Sequence, residues 1–379
     1  MKRLFIILFL ISFLCACAPN TVSPTLSAST SDAISVSPSP APTVSLKDNL
    51  PFDEPLELSF NYCPSIMELE DGTRYVYYCA TKESGVVQDH IYCRKGTPTP
   101  NGYIWGEKTL VLAPTDGTFD GLHCCDPSVI KGDFCYNGEK YQYLMAYTGN
   151  TYHVNNKVGL ALSNHPTEGF VSIGEPFIIN DGDESFWGVG QPSLLSVDKK
   201  GTVMLFYSYG GLETCTFAEK WDLSDLDDPK MLSRVKLTSS GIKGHDGSAD
   251  VINNIDVAFD PSTSRYYMVR DCHPNPTDGE PSFVASHFNL SYLPENGDAS
   301  AAFADQATHD ALEWVSVVSV GPDQTGFVRN SNCGIVRDEF GAVKNSHRLD
   351  ILYSMSELGT DEEYYAWSYR IHSYSIELK

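Results

Sequence analysis

The chain of 379 residues predicts an all-β fold, a five-bladed β-propeller of four-stranded antiparallel blades, on three observations. A short motif recurs: CPSIM from Cys63, DPSVI from Asp126 and QPSLL from Gln191, with DVAF from Asp256 and NCGIV from Asn332 as looser copies. Turn residues and then a second run of β-formers follow each copy, which is the pattern of a hairpin. The first four copies start about 65 residues apart, a spacing that signals a repeat architecture.

In chain order, residues 1–16 read as an export signal. Lys2 and Arg3 precede an apolar run from Leu4 to Leu14, too short for the roughly 20 residues a spanning helix needs. The run ends in Leu14-Cys15-Ala16-Cys17, which resembles a bacterial lipobox and implies that Cys17 becomes the first, acylated residue. Residues 17–49, rich in Ser, Thr, Pro and Ala, cannot bury enough surface to offset ordering and read as a tether. The expected location is the cell surface, on the outer face of the cytoplasmic membrane or within the envelope, with the lipid as the membrane contact.

Residues 50–379 carry the repeat. The predicted turns are Asp71-Gly72, Asn137-Gly138, Lys200-Gly201, Pro261-Ser262 and Phe340-Gly341. Beyond them lie RYVYYC from Arg74, YQYLMAYTG from Tyr141, TVMLFYSYG from Thr202, RYYMVRDC from Arg265 and RLDILYSMS from Arg348. These are short runs of aromatic and aliphatic residues suited to strands buried on both faces. VGLALSN from Val158 and YAWSYRIHSYSI from Tyr365 supply outer strands, and the one helical stretch, Ala301 to Leu312, falls in an insertion.

The formal net charge of −23 disfavours a nucleic-acid partner. Eleven cysteines, less Cys15 and Cys17, leave an odd number in the folded part, with no CxxC pair to suggest zinc. No metal or cofactor is therefore expected; a central cation such as calcium stays open, with no motif to support it. Cys124 and Cys125 read as two buried thiols or as a vicinal disulfide, and Cys63 and Cys79 share one hairpin and are a further candidate pair.

In a propeller the inner strands converge on one axis, which brings Cys63, Asp126, Gln191, Asp256 and Asn332 with Cys333 to a common funnel. Carboxylates and amides facing one cavity suit a polyhydroxylated ligand. The DPSV strand, the YLMAYTG strand and VGLALSNHPTEGF from Val158 resemble the five-bladed glycoside hydrolases of the family 43 group, the arabinanases and β-xylosidases. That resemblance implies inverting hydrolysis, with an Asp base from the first blade, a second Asp that tunes, and a Glu acid from a later blade. In this sequence Cys63 holds the base position and Gln191 the acid position; counting Gln191 instead as the tuning position puts the acid position on Asp256, with the base still missing.

Three functions remain open. One is a glycosidase with a relocated pair, Asp126 and Asp256, supported by Asp271 or His273. Another is a glycan-binding or degenerate propeller, and the third is a surface scaffold. Trp187 is a candidate stacking platform, and His123, His245, Asp246, Gln191 and Asn332 are candidate ligand contacts. The expected partner is an oligosaccharide or polysaccharide, and the expected state is a monomer.

Overall fold

The computed structural model describes residues 58–152, 154–180, 182–277, 282–294, 301–357 and 364–378. The leader, Cys17 and the tether lie outside the described residues. The fold is all-β. β6 (His123–Tyr136), β7 (Glu139–Asn150), β8 (Lys157–Ser163) and β9 (Val171–Ser172) form one four-stranded antiparallel sheet in sequence order. β10 (Gly188–Ser196), β11 (Thr202–Gly210), β12 (Thr214–Asp222) and β13 (Lys230–Lys236) form the next. The third is β14 (Ile255–Asp260), β15 (Arg265–Cys272), β16 (His287–Leu293) and β17 (Val315–Val320).

The two ends of the described chain share an eight-stranded sheet. Its first part is β1 (Asn61–Glu68), β2 (Arg74–Thr81), β3 (Asp89–Thr99), β4 (Gly102–Trp105) and β5 (Thr109–Leu112). Its second part is β18 (Arg329–Arg337), β19 (Arg348–Ser356) and β20 (Arg370–Glu377). A short parallel pairing, Ile66 with Val336 and Met67 with Arg337, joins β1 to β18.

The predicted hairpins form. Asn137 and Gly138 both take positive φ, the twist that matches flanking strands in a tight hairpin. In the 301–312 insertion only a 3-10 turn at Ala301–Phe303 and a single helical turn at Gln306–Asp310 appear. The last strand begins at Arg370, later than Tyr365, because residues Tyr364–Ser368 form a 3-10 turn. Among the described residues no helix is long and apolar enough to cross a membrane.

Apolar clusters fill the space between consecutive sheets. Met67 and Tyr77 pack with Met145 and Tyr147, Leu144 with Leu194 and Leu205, and Phe206 with Val257 and Met268. Val269 and Leu290 then meet Ile335 and Ile351, and Val336 and Leu352 meet Ile66 and Val76. The order of contacts runs from the first strands through to the last and back to the first. Burying each such side chain contributes about 1.5–3 kcal/mol, so the interfaces between sheets carry much of the stability.

A repeated backbone device sits at the mouth of each inner strand. Cys63, Asp126, Gln191, Asn254 and Asn332 all have φ between 49° and 52°, the left-handed region that costs a non-glycine residue roughly 1–2 kcal/mol. Each N–H donates to the second strand of a neighbouring hairpin: Cys63 to Ser354 Oγ, Asp126 to Cys79 Sγ, Gln191 to Thr148 Oγ1, Asn254 to Ser208 Oγ and Asn332 to Asp271 Oδ1. In four of the five strands the pairing register shifts at this point, as a bulge does. The kink turns the side chain out of the sheet and toward the axis.

This device corrects the expected register of the fourth repeat. Asn254, not Asp256, is the counterpart of Asp126 and Gln191. Asp256 lies two residues further in, at the position of Ser65, Ser128 and Ser193, and performs their task. Ser128 Oγ accepts from the Leu194 N–H at 2.9 Å, Ser193 Oγ from Val257 at 3.1 Å, and Asp256 Oδ2 from Ile335 at 2.8 Å.

Candidate functional site

At the left-handed end of the inner strands a cavity of about 680 Å3 opens. Asp126, Gln191, Asn254 and Asn332 form its floor, and Asp89, His123 and Asp271 stand among the groups around them. Tyr62, Trp187, Tyr209, Phe283 and Tyr369 supply aromatic surface. Beneath the floor the axis narrows to about 30 Å3, room for roughly one water, lined by Cys63, Asp126, Gln191, Asn254 and Asp256.

Asp126 accepts from the side chains of Cys63 and Thr148. Burial raises its carboxyl above the usual range, and those hydrogen bonds oppose the rise only in part. The Cys63 thiol is pushed well up, first by burial and then by the facing Asp126 charge. Asn332 Nδ2 approaches Cys63 Sγ at 2.8 Å, so three repeat positions form one hydrogen-bonded chain across the axis.

Asp271 is the second-last residue of β15 and is 7% exposed. Asn254 Nδ2 donates to its Oδ2 at 2.8 Å and the Asn332 N–H to its Oδ1 at 3.0 Å. Burial pushes this carboxyl up to about 6, against the pull of those donors and of the nearby His273 and Arg270 charges. A carboxyl that keeps its proton into the mildly acidic range is suited to general-acid work.

Asp89 is a third carboxylate on the cavity and was missed in the sequence, because it opens a third strand and has no repeated copy. Its Oδ2 lies 2.8 Å from His123 Nδ1, and its Oδ1 accepts from the Tyr62 hydroxyl at 3.0 Å. Tyr62 in turn stacks on Tyr369, 4.9 Å between ring centroids. Trp187 lies over the second glycine of the β10–β11 pair, where a Cβ at Gly210 would come within 3.1 Å of its own Cβ. Glycine there is what lets the indole form a wall.

Four of the expected site residues stand elsewhere. Asp256 is buried below the floor, with Oδ1 taken by Ser193 at 2.7 Å and by Arg337 Nη1 at 3.1 Å and Oδ2 by the Ile335 amide. A carboxylate held by three partners beneath the floor, and absent from the lining of the large cavity, serves the fold, which replaces the reading of Asp256 as half of a catalytic pair. His273 Nδ1 lies 2.8 Å from Asp250 Oδ1, and this bond raises the imidazole while burial opposes it. Burial alone would raise Asp250, but His273 and the buried Arg270 at 2.5 Å hold it well below its ordinary value. The pair clamps the loop ahead of β14. His245 stacks on His287 with ring centroids 4.0 Å apart. Exposed Asp246 closes a turn by accepting from Ser248, which lowers its carboxyl.

The cysteines also pair differently from either expectation. Cys79 on β2 and Cys125 on β6 form a disulfide, which leaves Cys124 and Cys63 as buried thiols. The second strand of the first hairpin and the inner strand of the next bring these two positions together, a contact invisible along the chain.

Neither a protein-family model nor a curated protein matches the chain. Solved structures do. A thermostable family-43 glycoside hydrolase superposes with a TM-score of 0.52 at 14% identity, covering 86% of this chain and 93% of that one. The α-L-arabinofuranosidase from Lactobacillus brevis gives 0.54 at 10% identity, covering 88% and 94%. An α-L-arabinofuranosidase from Podospora anserina, solved in complex with cellotriose, gives 0.50 at 11% identity, covering 86% and 93%. At these identities the likeness concerns the fold, and the chain has the β-propeller fold seen in the glycoside hydrolases of the family 43 group.

Proposed function

We propose that the chain is a five-bladed propeller that binds a neutral oligosaccharide in the axial cavity and hydrolyses a glycosidic bond by single displacement. The reading rests on one observation: Asp126 and Asp271, both with raised carboxyls, share the axial cavity. Asp271 is the general acid in this reading and Asp126 the carboxylate that activates water. Inverting hydrolysis requires two such groups with room for water between them.

The substrate class follows from charge. The described cavity lining has three aspartates and neither Lys nor Arg, and the internal segments outside the description have no Lys or Arg in their sequence. Uronic or sulfated sugars would meet uncompensated negative charge there. Aromatic faces with amides and carboxylates suit uncharged sugar rings. A panel of neutral and uronate oligosaccharides, read by product NMR, tests both statements. Neutral substrates should release product of inverted anomeric configuration, and preferential cleavage of uronates would overturn the assignment.

A second reading has its own support. Cys63 and Gln191 carry no carboxyl at two of the five axial positions, which favours a glycan receptor that retains the cavity without catalysis. Binding by calorimetry with no reducing ends released over long incubation would select it. In either case Trp187→Ala should weaken oligosaccharide binding by about tenfold, the loss of roughly one aromatic stacking interaction. Gly210→Val should reproduce this by displacing the indole, and unchanged affinity in both would remove Trp187 from the site.

The leader supports a further part of this proposal: a monomeric domain exported and held at the cell surface by lipid on Cys17 through the 17–49 tether. Metabolic labelling with a palmitate analogue in a bacterial host should mark the wild type and not Cys17→Ala, which should appear in the soluble fraction. Equal labelling of the variant would refute the anchor.

A further inference from the structure

Three cysteines and one aspartate meet at the floor of the cavity. Cys63 comes from β1, Cys79 from β2, and Cys125 with Asp126 from β6. One donor atom of each, three Sγ and a carboxylate oxygen, lie within 4.8 Å of one another. Around tetrahedral zinc, with bonds of about 2.3 Å to sulfur and about 2.1 Å to oxygen, neighbouring ligand atoms stand roughly 3.5–3.8 Å apart. Once the Cys79–Cys125 bond is broken and its two sulfurs part to non-bonded separation, the four atoms can enclose one cation.

Two further contacts already direct N–H donors at these sulfurs. Asn332 Nδ2 points to Cys63 Sγ at 2.8 Å, and the Asp126 N–H points to Cys79 Sγ at 3.0 Å. Donors to sulfur orient a metal-bound thiolate and offset its charge. The three sulfurs are buried, while Cys125 and Asp126 reach the large cavity and provide an entry path. The sequence showed no CxxC spacing because the ligands arrive from three strands.

We propose that Cys63, Cys79, Cys125 and Asp126 form a site for a thiophilic divalent cation of the zinc class when the Cys79–Cys125 bond is reduced. Reduction by a phosphine consumes one water, giving phosphine oxide and two thiols. Binding then releases three thiol protons as three thiolates and the Asp126 carboxylate take the metal. The disulfide and metal forms exclude each other. Resting on the reading of Asp126 as the base, a consequence is that metal loading halts hydrolysis by occupying that carboxylate.

Cobalt(II) titration of the phosphine-reduced full chain, under argon, tests the binding directly. One equivalent should produce sulfur-to-cobalt charge-transfer absorption and strong tetrahedral visible bands, both bleached by zinc. Cys63→Ser and Asp126→Asn leave the disulfide pair intact for folding, checked by circular dichroism before reduction, and should weaken binding by roughly 10–100-fold or more. Cys215→Ser, on the distant β12, should change nothing. Alkylation mapping of wild-type protein by mass spectrometry should show zinc protecting Cys63, Cys79 and Cys125 together, which requires no variant to fold. A reduced chain without the charge-transfer band, binding unaffected by Cys63→Ser, or zinc that leaves these three thiols open would overturn the site. These readouts do not involve hydrolysis, so a chain that binds metal but cleaves no glycan would refute only the functional reading.

Discussion

Arg337→Met is expected to destabilise the propeller by about 3–5 kcal/mol, the cost of leaving a buried charge without its partner. Arg337 is 1% exposed. Its guanidinium meets Asp256 Oδ1 at 3.1 Å, Ser128 Oγ at 2.9 Å and Ser193 Oγ at 3.3 Å, and also the Val257 carbonyl. One side chain on the last inner strand therefore ties together three others. The carboxylate it serves stands where other repeats have serine, so Asp256→Ser restores the local pattern and removes the charge left behind. The double variant Asp256→Ser/Arg337→Met should cost less than the sum of the two singles, with a coupling of roughly 1–3 kcal/mol. Urea unfolding measures all three. Additive losses, or a single variant with an unchanged midpoint, would show that the pair is not the tie described.

The period, the hairpins and the convergence of inner strands were legible because each depends on local composition: apolar runs, turn residues and the Pro-Ser step repeat visibly. The fourth repeat was misread because Asn254-Ile255-Asp256 lacks that step. Aligning Val257 with Val129 and Leu194 by their burial pattern would have placed Asn254 at the kink. Asp271 was found as a supporting residue, but its role depends on Asn254, which enters the same sheet, and on Asn332, which reaches it from the neighbouring one. Asp89 and the Cys79–Cys125 bond carried no periodic signal at all, since each is a feature of one blade or one interface. What the chain repeats can be read from it; what it does once requires coordinates.

Asp271→Asn is expected to lower kcat/KM by about 10²–10⁴-fold, the usual contribution of a general acid, while leaving oligosaccharide affinity near its original value. The sign of the pH dependence follows from the raised carboxyl. An acid must hold its proton to act, so activity should fall as pH rises through about 6, the value to which burial pushes Asp271, while a separate acid limb marks protonation of the base Asp126. That alkaline limb should vanish in Asp271→Asn. Asn254→Leu gives a sharper check, because the Asn254 hydrogen bond favours the ionised carboxylate. Its loss should raise the Asp271 carboxyl further and move the limb to higher pH, a displacement that general destabilisation of the fold would not produce. A limb that stays in place in Asn254→Leu, or an Asp271→Asn variant with more than a tenth of wild-type activity, would take the acid role away from Asp271. It would then pass to Asp89, the remaining carboxylate among the described residues of the cavity, held by His123 and Tyr62.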